Sequence, residues 1–279
     1  MDLQVIIDSV VKLPPSPQIL PKLQTLLRNV DAGIHEIISL LKVDASMTAQ
    51  IVRLSNSAYF GASTPSQSLE EAVSRLGFKE VYKVVSMAAA HDVLGESVPL
   101  YKLDKGQLLY HSLACAVVMV ECSARRLSGN IDTAYTVGLL HSLGKVIINQ
   151  YYLQHGLEIY SADLDNNMTV QMERKVLGFD YADASSAILR KWNFPAEIYE
   201  PIQYQFKPTL APEHGTFACM LAVSKWGADF FLNSEEDDPI PSYNGDAEHL
   251  ELIGLTQDDL NECMGNAREG IKEMNDLLV

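Results

Sequence analysis

An all-α fold is predicted, and three observations predict it. Nearly every segment of the 279-residue chain repeats its apolar residues with a period near 3.6, and no alternating run is long enough to insist on a strand. Proline and glycine clusters, with capping signals beside them, divide the chain into short helical pieces. Residues 1–12 carry apolar Leu3, Ile6, Ile7, Val10 and Val11, and the prolines of Leu13-Pro14-Pro15-Ser16-Pro17 end that helix. Helices are expected over 18–29 and 34–43, with Asp44 as cap of the next, which runs through Met47, Ile51, Val52 and Leu54 into the loop Asn56-Ser57-Ala58-Tyr59-Phe60-Gly61. Ser68-Leu69-Glu70-Glu71 has the pattern of a capping box, Gly77 closes the short helix behind it, and 78–94 continues as a helix with the small-residue run 86–90.

The stretch 95–103 is the best internal boundary. It separates an N-terminal bundle of short helices, residues 1–95, from a second helical region, residues 104–279. Asp104 is a plausible N-cap for a helix to Leu127, which Ser128-Gly129-Asn130 ends, and 131–151 reads as a helix pair. Amphipathic helices follow over 168–177 and 182–192, with Asp180 as a cap between them. Pro195 can open a helix that Pro201 bends, and Pro208–Pro212 breaks the chain before a helix at 213–232. Residues 233–246 form an acidic, proline-containing solvated loop, and Thr256-Gln257-Asp258-Asp259 caps the last helix. There is no internal repeat and no low-complexity tract.

Composition excludes several classes. An apolar fraction of 47% supplies a core, while 21 basic against 36 acidic residues give a net charge of −15, which repels a phosphate backbone and argues against nucleic acid as a partner. Apolar runs are interrupted before the length of a membrane span, and the first residues lack a basic region followed by a long apolar run, so a cytoplasmic protein without a membrane partner is expected. Cys115, Cys122, Cys219 and Cys263 show no CxxC spacing and read as buried free thiols.

Within the apolar segment 135–146 stand His141, Lys145, Gly138 and Gly144. Each glycine costs a helix about 1 kcal/mol relative to alanine, which calls for a close backbone approach or a tight turn. The octapeptide GLLHSLGK, residues 138–145, resembles the GLLHDIGK signature of the HD superfamily of metal-dependent phosphohydrolases, with Ser142 in place of the defining Asp. The segments LPPSPQILPKL, DASMTAQIVRLSNSAYFG, SLEEAVSRLGFKEV, YHSLACAV, AYTVGLLHSLGKVIINQ and ERKVLGFDYADASSAILRKWNFPAEI resemble, in order, the motifs of the HDOD domain, a bacterial relative of the HD fold, over about residues 13–232.

The resemblance implies a bundle of short helices packed on an HD-like helical region, and a regulatory role in bacterial signal transduction. HDOD domains occur alone or joined to receiver, cyclase or phosphodiesterase modules, and this length leaves no room for one. On the HD pattern His111 matches the first histidine and His141 the histidine of the doublet. Ser142 replaces the aspartate, Tyr181 replaces a histidine, a histidine pair would fall near Tyr204-Gln205, and the distal aspartate near Ser224-Lys225. Two neutral imidazoles without a carboxylate hold a dication poorly. Lys225 would add repulsion if it points inward. Glu173, Asp180, Asp183 and His214 are conceivable substitute ligands without supporting spacing.

A degenerate metal site is therefore expected, with no metal, no cofactor and no catalytic residue. The plainer reading makes His111 and His141 buried histidines bonded to backbone or to each other, Lys145 a lysine answering a helix C-terminal dipole, and Trp192 and Trp226 core or interface aromatics. Lys145 is also the candidate anion-facing residue. Asn56 and Ser57 form a candidate interface loop, against the simpler role of fixing a turn. The function expected is a non-catalytic signalling module that binds another protein, using the groove between its two helical regions. One alternative is a metal-dependent phosphohydrolase acting on a nucleotide or cyclic dinucleotide. The other is a sensor that takes a nucleotide or anion in the vacated metal pocket.

Overall fold

The computed structural model describes residues 3–9, 19–29, 33–42, 45–56, 65–126, 130–156, 166–235 and 237–278. It is all-helical: among the described residues the only strand-like pairing is an isolated bridge between Val98 and Leu103. The chain forms two compact units, one of Pro14–Asp92 with Gly270–Val279, the other of Met1–Leu13 with Val93–Glu269. The break lies beside the boundary expected at 95–103, but the first helix, α1 (Leu3–Ser9), belongs with the later helices. Burial explains this: Ile6 and Ile7 are covered, and Asp8 pairs with Lys191 at 2.6 Å.

The smaller unit holds α2 (Ile19–Arg28), α3 (Ile34–Leu41), α4 (Ala45–Ser55) and most of α5 (Leu69–Leu94). Gly77 interrupts α5 with φ 70°, a left-handed conformation that suits glycine. The Ser68 hydroxyl accepts from the Glu71 amide at 3.2 Å. The Glu71 carboxylate reaches the amide of Gln67 at 2.7 Å, one residue before the partner expected of a strict capping box. Asn56 is spent internally: its amide group exchanges two hydrogen bonds with the backbone of Ser66, at 2.7 and 2.8 Å, and Arg75 donates to its Oδ1 at 3.0 Å. That geometry matches the turn-fixing role. Ser57, Asp44 and the 13–17 proline break lie outside the described residues.

The larger unit contains α6 (Gln107–Arg125), α7 (Ile131–Leu140), α8 (Leu143–His155), α9 (Asn166–Leu177), α10 (Tyr181–Lys191), α11 (Ala196–Gln203), α12 (Gly215–Asn233), α13 (Ala247–Ile253) and most of α14 (Gln257–Leu278). Helix α6 is its axis, packed against α7 and α12, while α8 lies on α10. By length and composition α6 could cross a membrane, yet 67% of its apolar window is buried within the protein, the pattern of a core helix. Asp104 is not the N-cap of α6. Gly106, at φ 85°, takes that position, and Gln107 accepts from the Asp104 amide at 2.7 Å. Asn130 caps α7, accepting from Thr133.

Asp180 caps α10 as expected, accepting from the amides of Ala182 and Asp183 at 2.9 and 3.1 Å while Arg174 pairs with its other oxygen at 2.7 Å. Its side chain is fully buried, so Asp180→Ala is expected to cost about 2 kcal/mol, the upper range for a lost cap, read as a lower denaturant midpoint with an unchanged slope. The Thr256 box also forms, through reciprocal bonds with Asp259 at 3.1 and 2.9 Å. Helix α13 follows the acidic loop, where the sequence pattern had indicated no separate helix. All four cysteines are buried and free, and the Cys122 thiol hydrogen-bonds that of Cys263.

Candidate functional site

The two motif glycines place the site. A Cβ on Gly138 would lie 2.5 Å from the Ala116 Cα, so α7 and α6 touch backbone to backbone there. A Cβ on Gly144 would lie 2.0 Å from the carbonyl oxygen of Tyr181, and the Gly144 amide donates to the Ser185 hydroxyl at 2.7 Å. These contacts bring the α7–α8 turn, which carries His141 and Ser142, against α6 and against the start of α10.

His111 on α6 and His141 face each other, with ring centroids 5.3 Å apart. His111 Nε2 lies 2.9 Å from Oδ1 of Asp229 on α12. His141 Nδ1 lies 2.7 Å from the carbonyl oxygen of Gly138. In each ring the nitrogen facing an oxygen carries the proton, which leaves the other as a bare lone pair. Among the described residues these atoms, His111 Nδ1 and His141 Nε2, have no hydrogen-bond partner, nor does the Ser142 hydroxyl. The plainer reading of the histidines holds in part: His141 bonds backbone, but His111 bonds a carboxylate.

Two lysines enter the same cluster. Lys225 donates to Gln205 Oε1 at 2.6 Å and to the Tyr181 hydroxyl at 3.2 Å, and its ammonium lies 4.1 Å from the Phe206 ring centroid. Lys145 has no hydrogen-bonding side chain among the described residues; its ammonium sits over the rings of Tyr181 and Tyr101, at 4.8 and 5.4 Å. Both lysines are only 8% exposed. Lys145 lies in the first turn of α8, so the role of answering a C-terminal dipole is overturned: the helix continues from this residue instead of ending there.

Asp229 is the residue that sequence reasoning missed. The family's distal aspartate would fall near Ser224-Lys225, where none stands, and no carboxylate beside the histidines was expected; Asp229 supplies one, a helical turn beyond Lys225 on the same face of α12. The substitute ligands go elsewhere. Glu173 accepts from the Tyr101 hydroxyl and from the Tyr181 amide, Asp180 and Asp183 cap α10, and His214 begins α12 outside the cluster.

Burial sets the electrostatics. It lowers the Lys225 pKa to about 7, with Lys145 as the next cause, and it lowers Lys145 as well. It lowers His111 and, more strongly, His141, so both rings are neutral. It raises Glu173 to about 7. Burial also works to raise Asp229, but the His111 hydrogen bond and neighbouring positive charge prevail and lower it. Inside a chain of net charge −15, this cluster brings two buried lysines beside Asp229, whose carboxyl is held below its ordinary pKa.

Such a donor set does not fit a divalent metal. Among the described residues no three His, Cys, Asp or Glu side chains gather as a metal-binding group. Ser142 supplies no charge, and a dication a few ångströms from an ammonium is repelled by on the order of several kcal/mol even at an effective dielectric of about 20.

Fold and cluster together define an all-helical protein of HD-like build. The chain belongs to the HDOD domain family, whose model matches residues 13–208. A solved structure from Shewanella amazonensis, named a candidate phosphohydrolase, superposes with a TM-score of 0.67 at 22% identity, covering 99% of this chain and 98% of that one. Another from Marinobacter aquaeolei, named a candidate signal transduction protein, gives 0.69 at 21% identity over 96% of this chain and 60% of that one. At such identities the likeness shows the fold alone. A Treponema pallidum protein of uncharacterised function is 23% identical over 209 residues, and the match spans 75% of this chain but only 40% of that relative.

Proposed function

We propose that this protein is a non-catalytic signal-transduction module that acts by binding another protein. The observation that carries the reading is the pair of buried lysines, Lys145 and Lys225, set among His111, His141 and Asp229. A phosphohydrolase needs concentrated positive charge on an exchangeable metal that activates water. Here the positive charge is carried on side chains that can do neither. The same lysines favour an anion as ligand, but the two bare imidazole lone pairs repel one, so a partner protein remains the preferred reading. The family membership and the name of the Marinobacter relative support the signalling role.

Two measurements test it. Purified protein supplied with manganese, iron or zinc and challenged with p-nitrophenyl phosphate, nucleotides and cyclic dinucleotides should release no product above the blank. Metal-dependent release abolished by His141→Ala would overturn the reading. On the positive side, a signalling protein retained by the tagged chain should rebuild a stoichiometric complex from purified components, and failure to do so would count against it.

Restoring the carboxylate alone should not create an enzyme. Ser142→Asp is expected to show no metal-dependent turnover, because Lys145 and Lys225 stay in place and the positions of Tyr181 and Gln205 still lack imidazoles. Turnover in that single variant would contradict the ligand census.

A further inference from the structure

Two of the four buried cysteines meet. Cys122 on α6 and Cys263 on α14 share a thiol–thiol hydrogen bond, and the contacts on either side fix their register. Arg125, one turn after Cys122, pairs with Asp259 and Glu262. Asn266, one turn after Cys263, donates to Glu121 at 3.2 Å. The two helices therefore run antiparallel with the cysteines opposite each other. The packing beside them is close: a Cβ on Gly227 of α12 would stand 2.6 Å from the Sδ of Met264, the residue after Cys263.

Reactivity separates this pair from the other two thiols. Burial raises Cys219 to about 11 and raises Cys115 further. The shared hydrogen bond raises Cys122 but lowers Cys263. The thiolate is the nucleophile toward an oxidant, so Cys263 is the sulfur that reacts first. It also lies at the rim of the covered face of α14, beside exposed Glu262 and Asn266.

We propose that Cys122 and Cys263 are an oxidation site, forming a reversible disulfide with a hydroperoxide as oxidant and so tying α14 to α6 within the larger unit. This goes beyond the signalling reading and does not rest on it. Cys263 gives up its proton, and its thiolate attacks one peroxide oxygen. The O–O bond breaks, and the departing hydroxide takes up that proton as water. The Cys122 sulfur then attacks the Cys263 sulfenic acid, the S–S bond forms, and the sulfenic hydroxyl leaves as a second water with the Cys122 proton. Two thiols and one hydrogen peroxide give one disulfide and two waters, with two electrons passing from sulfur to oxygen. A reducing dithiol reverses the change by exchange.

Hydrogen peroxide is the probe. The reduced protein is exposed to it, treated with catalase, unfolded in N-ethylmaleimide, and read by intact mass and peptide mapping. The expected result is two maleimide adducts in place of four, with the Cys122 and Cys263 peptides joined, and four adducts again after dithiothreitol. In Cys122→Ser the second thiol is gone, so Cys263 should stop at a sulfenic acid that dimedone captures. In Cys263→Ser all three remaining thiols should still react with maleimide. If circular dichroism shows that a variant has lost its helices, the wild-type peptide map decides alone. Four adducts after peroxide, a link through Cys115 or Cys219, or oxidation of Cys263 past the sulfenic acid without a link would each overturn the proposal.

Discussion

Gly144→Ala is expected to destabilise the larger unit by about 4 kcal/mol or more, enough to leave a domain of ordinary stability largely unfolded. The added methyl would stand 2.0 Å from the Tyr181 carbonyl oxygen and 2.8 Å from the Ser185 amide nitrogen. Both are backbone atoms at the start of α10, so no rotamer change relieves the clash and the two helices must separate. Separation also breaks the bond from the Gly144 amide to Ser185 Oγ, a hydroxyl that itself donates to the Tyr181 and His141 carbonyls at 2.8 and 3.1 Å. The control is Gly265→Ala on α14, where the new methyl meets nothing within 4 Å. That change should stabilise by up to about 1 kcal/mol through helix propensity. Denaturant unfolding followed by circular dichroism separates the two, and equal midpoints for both variants would show that α8 and α10 are not in backbone contact.

Lys225→Met is expected to make the protein more stable at neutral pH and to flatten its response to alkali. Lys225 has a folded-state pKa of about 7 against an ordinary 10.5, so between those values the unfolded chain binds a proton that the folded protein does not. Stability therefore rises with pH across this window, by on the order of 3 kcal/mol between about pH 7 and 9.5. The groups that bear on Lys225 are Lys145 from α8, Asp229 from α12, Cys115 and His111 from α6, His141 from the α7–α8 turn, and Asp180 and Tyr181 at the start of α10. Neither His111 nor His141 titrates in that range, since both are lowered, and the Tyr181 hydroxyl is raised above it. Methionine removes the cost of stripping the lysine of its proton or its hydration on folding but leaves Gln205 Oε1 without its lysine donor, so the net gain at pH 7.5 should be about 1–3 kcal/mol. Thermal unfolding at pH 7.5 and 9.5 reads both effects. A variant less stable at pH 7.5, with the wild-type slope intact, would mean that Lys225 keeps its ordinary pKa in the folded protein.

Much of this was legible in the sequence because it depended on local chemistry. The helical period gave the fold class, Asp180 and Thr256 announced their caps, and Gly138 and Gly144 announced backbone contact where no side chain could be tolerated. His111 and His141 do meet, as the motif resemblance implied. What stayed hidden depended on long-range register. Asp229 lies one turn past Ser224-Lys225, where the motif's aspartate would fall, on the same helix face, so the periodicity does not mark it. The inward course of Lys225 is set by Gln205 and Tyr181, which are 20 and 44 residues away in the chain. Lys145 looked like a helix-end residue because the turn at His141 and Ser142 is buried inside a continuous apolar run, where composition does not mark it. The partition of α1 into the larger unit was hidden for the same reason: Ile6 and Ile7 declare an apolar face but not the surface that covers it.

The most direct test is the metal content of the 279-residue chain, expressed in medium supplemented with iron, manganese and zinc and measured by elemental analysis after gel filtration without chelator. The expected result is far less than one equivalent of any transition metal, together with no metal-dependent phosphate release. One equivalent retained through purification, and lost on substitution of His111, His141 or Asp229, would contradict the view that this cluster carries its own cations and works without an exchangeable one.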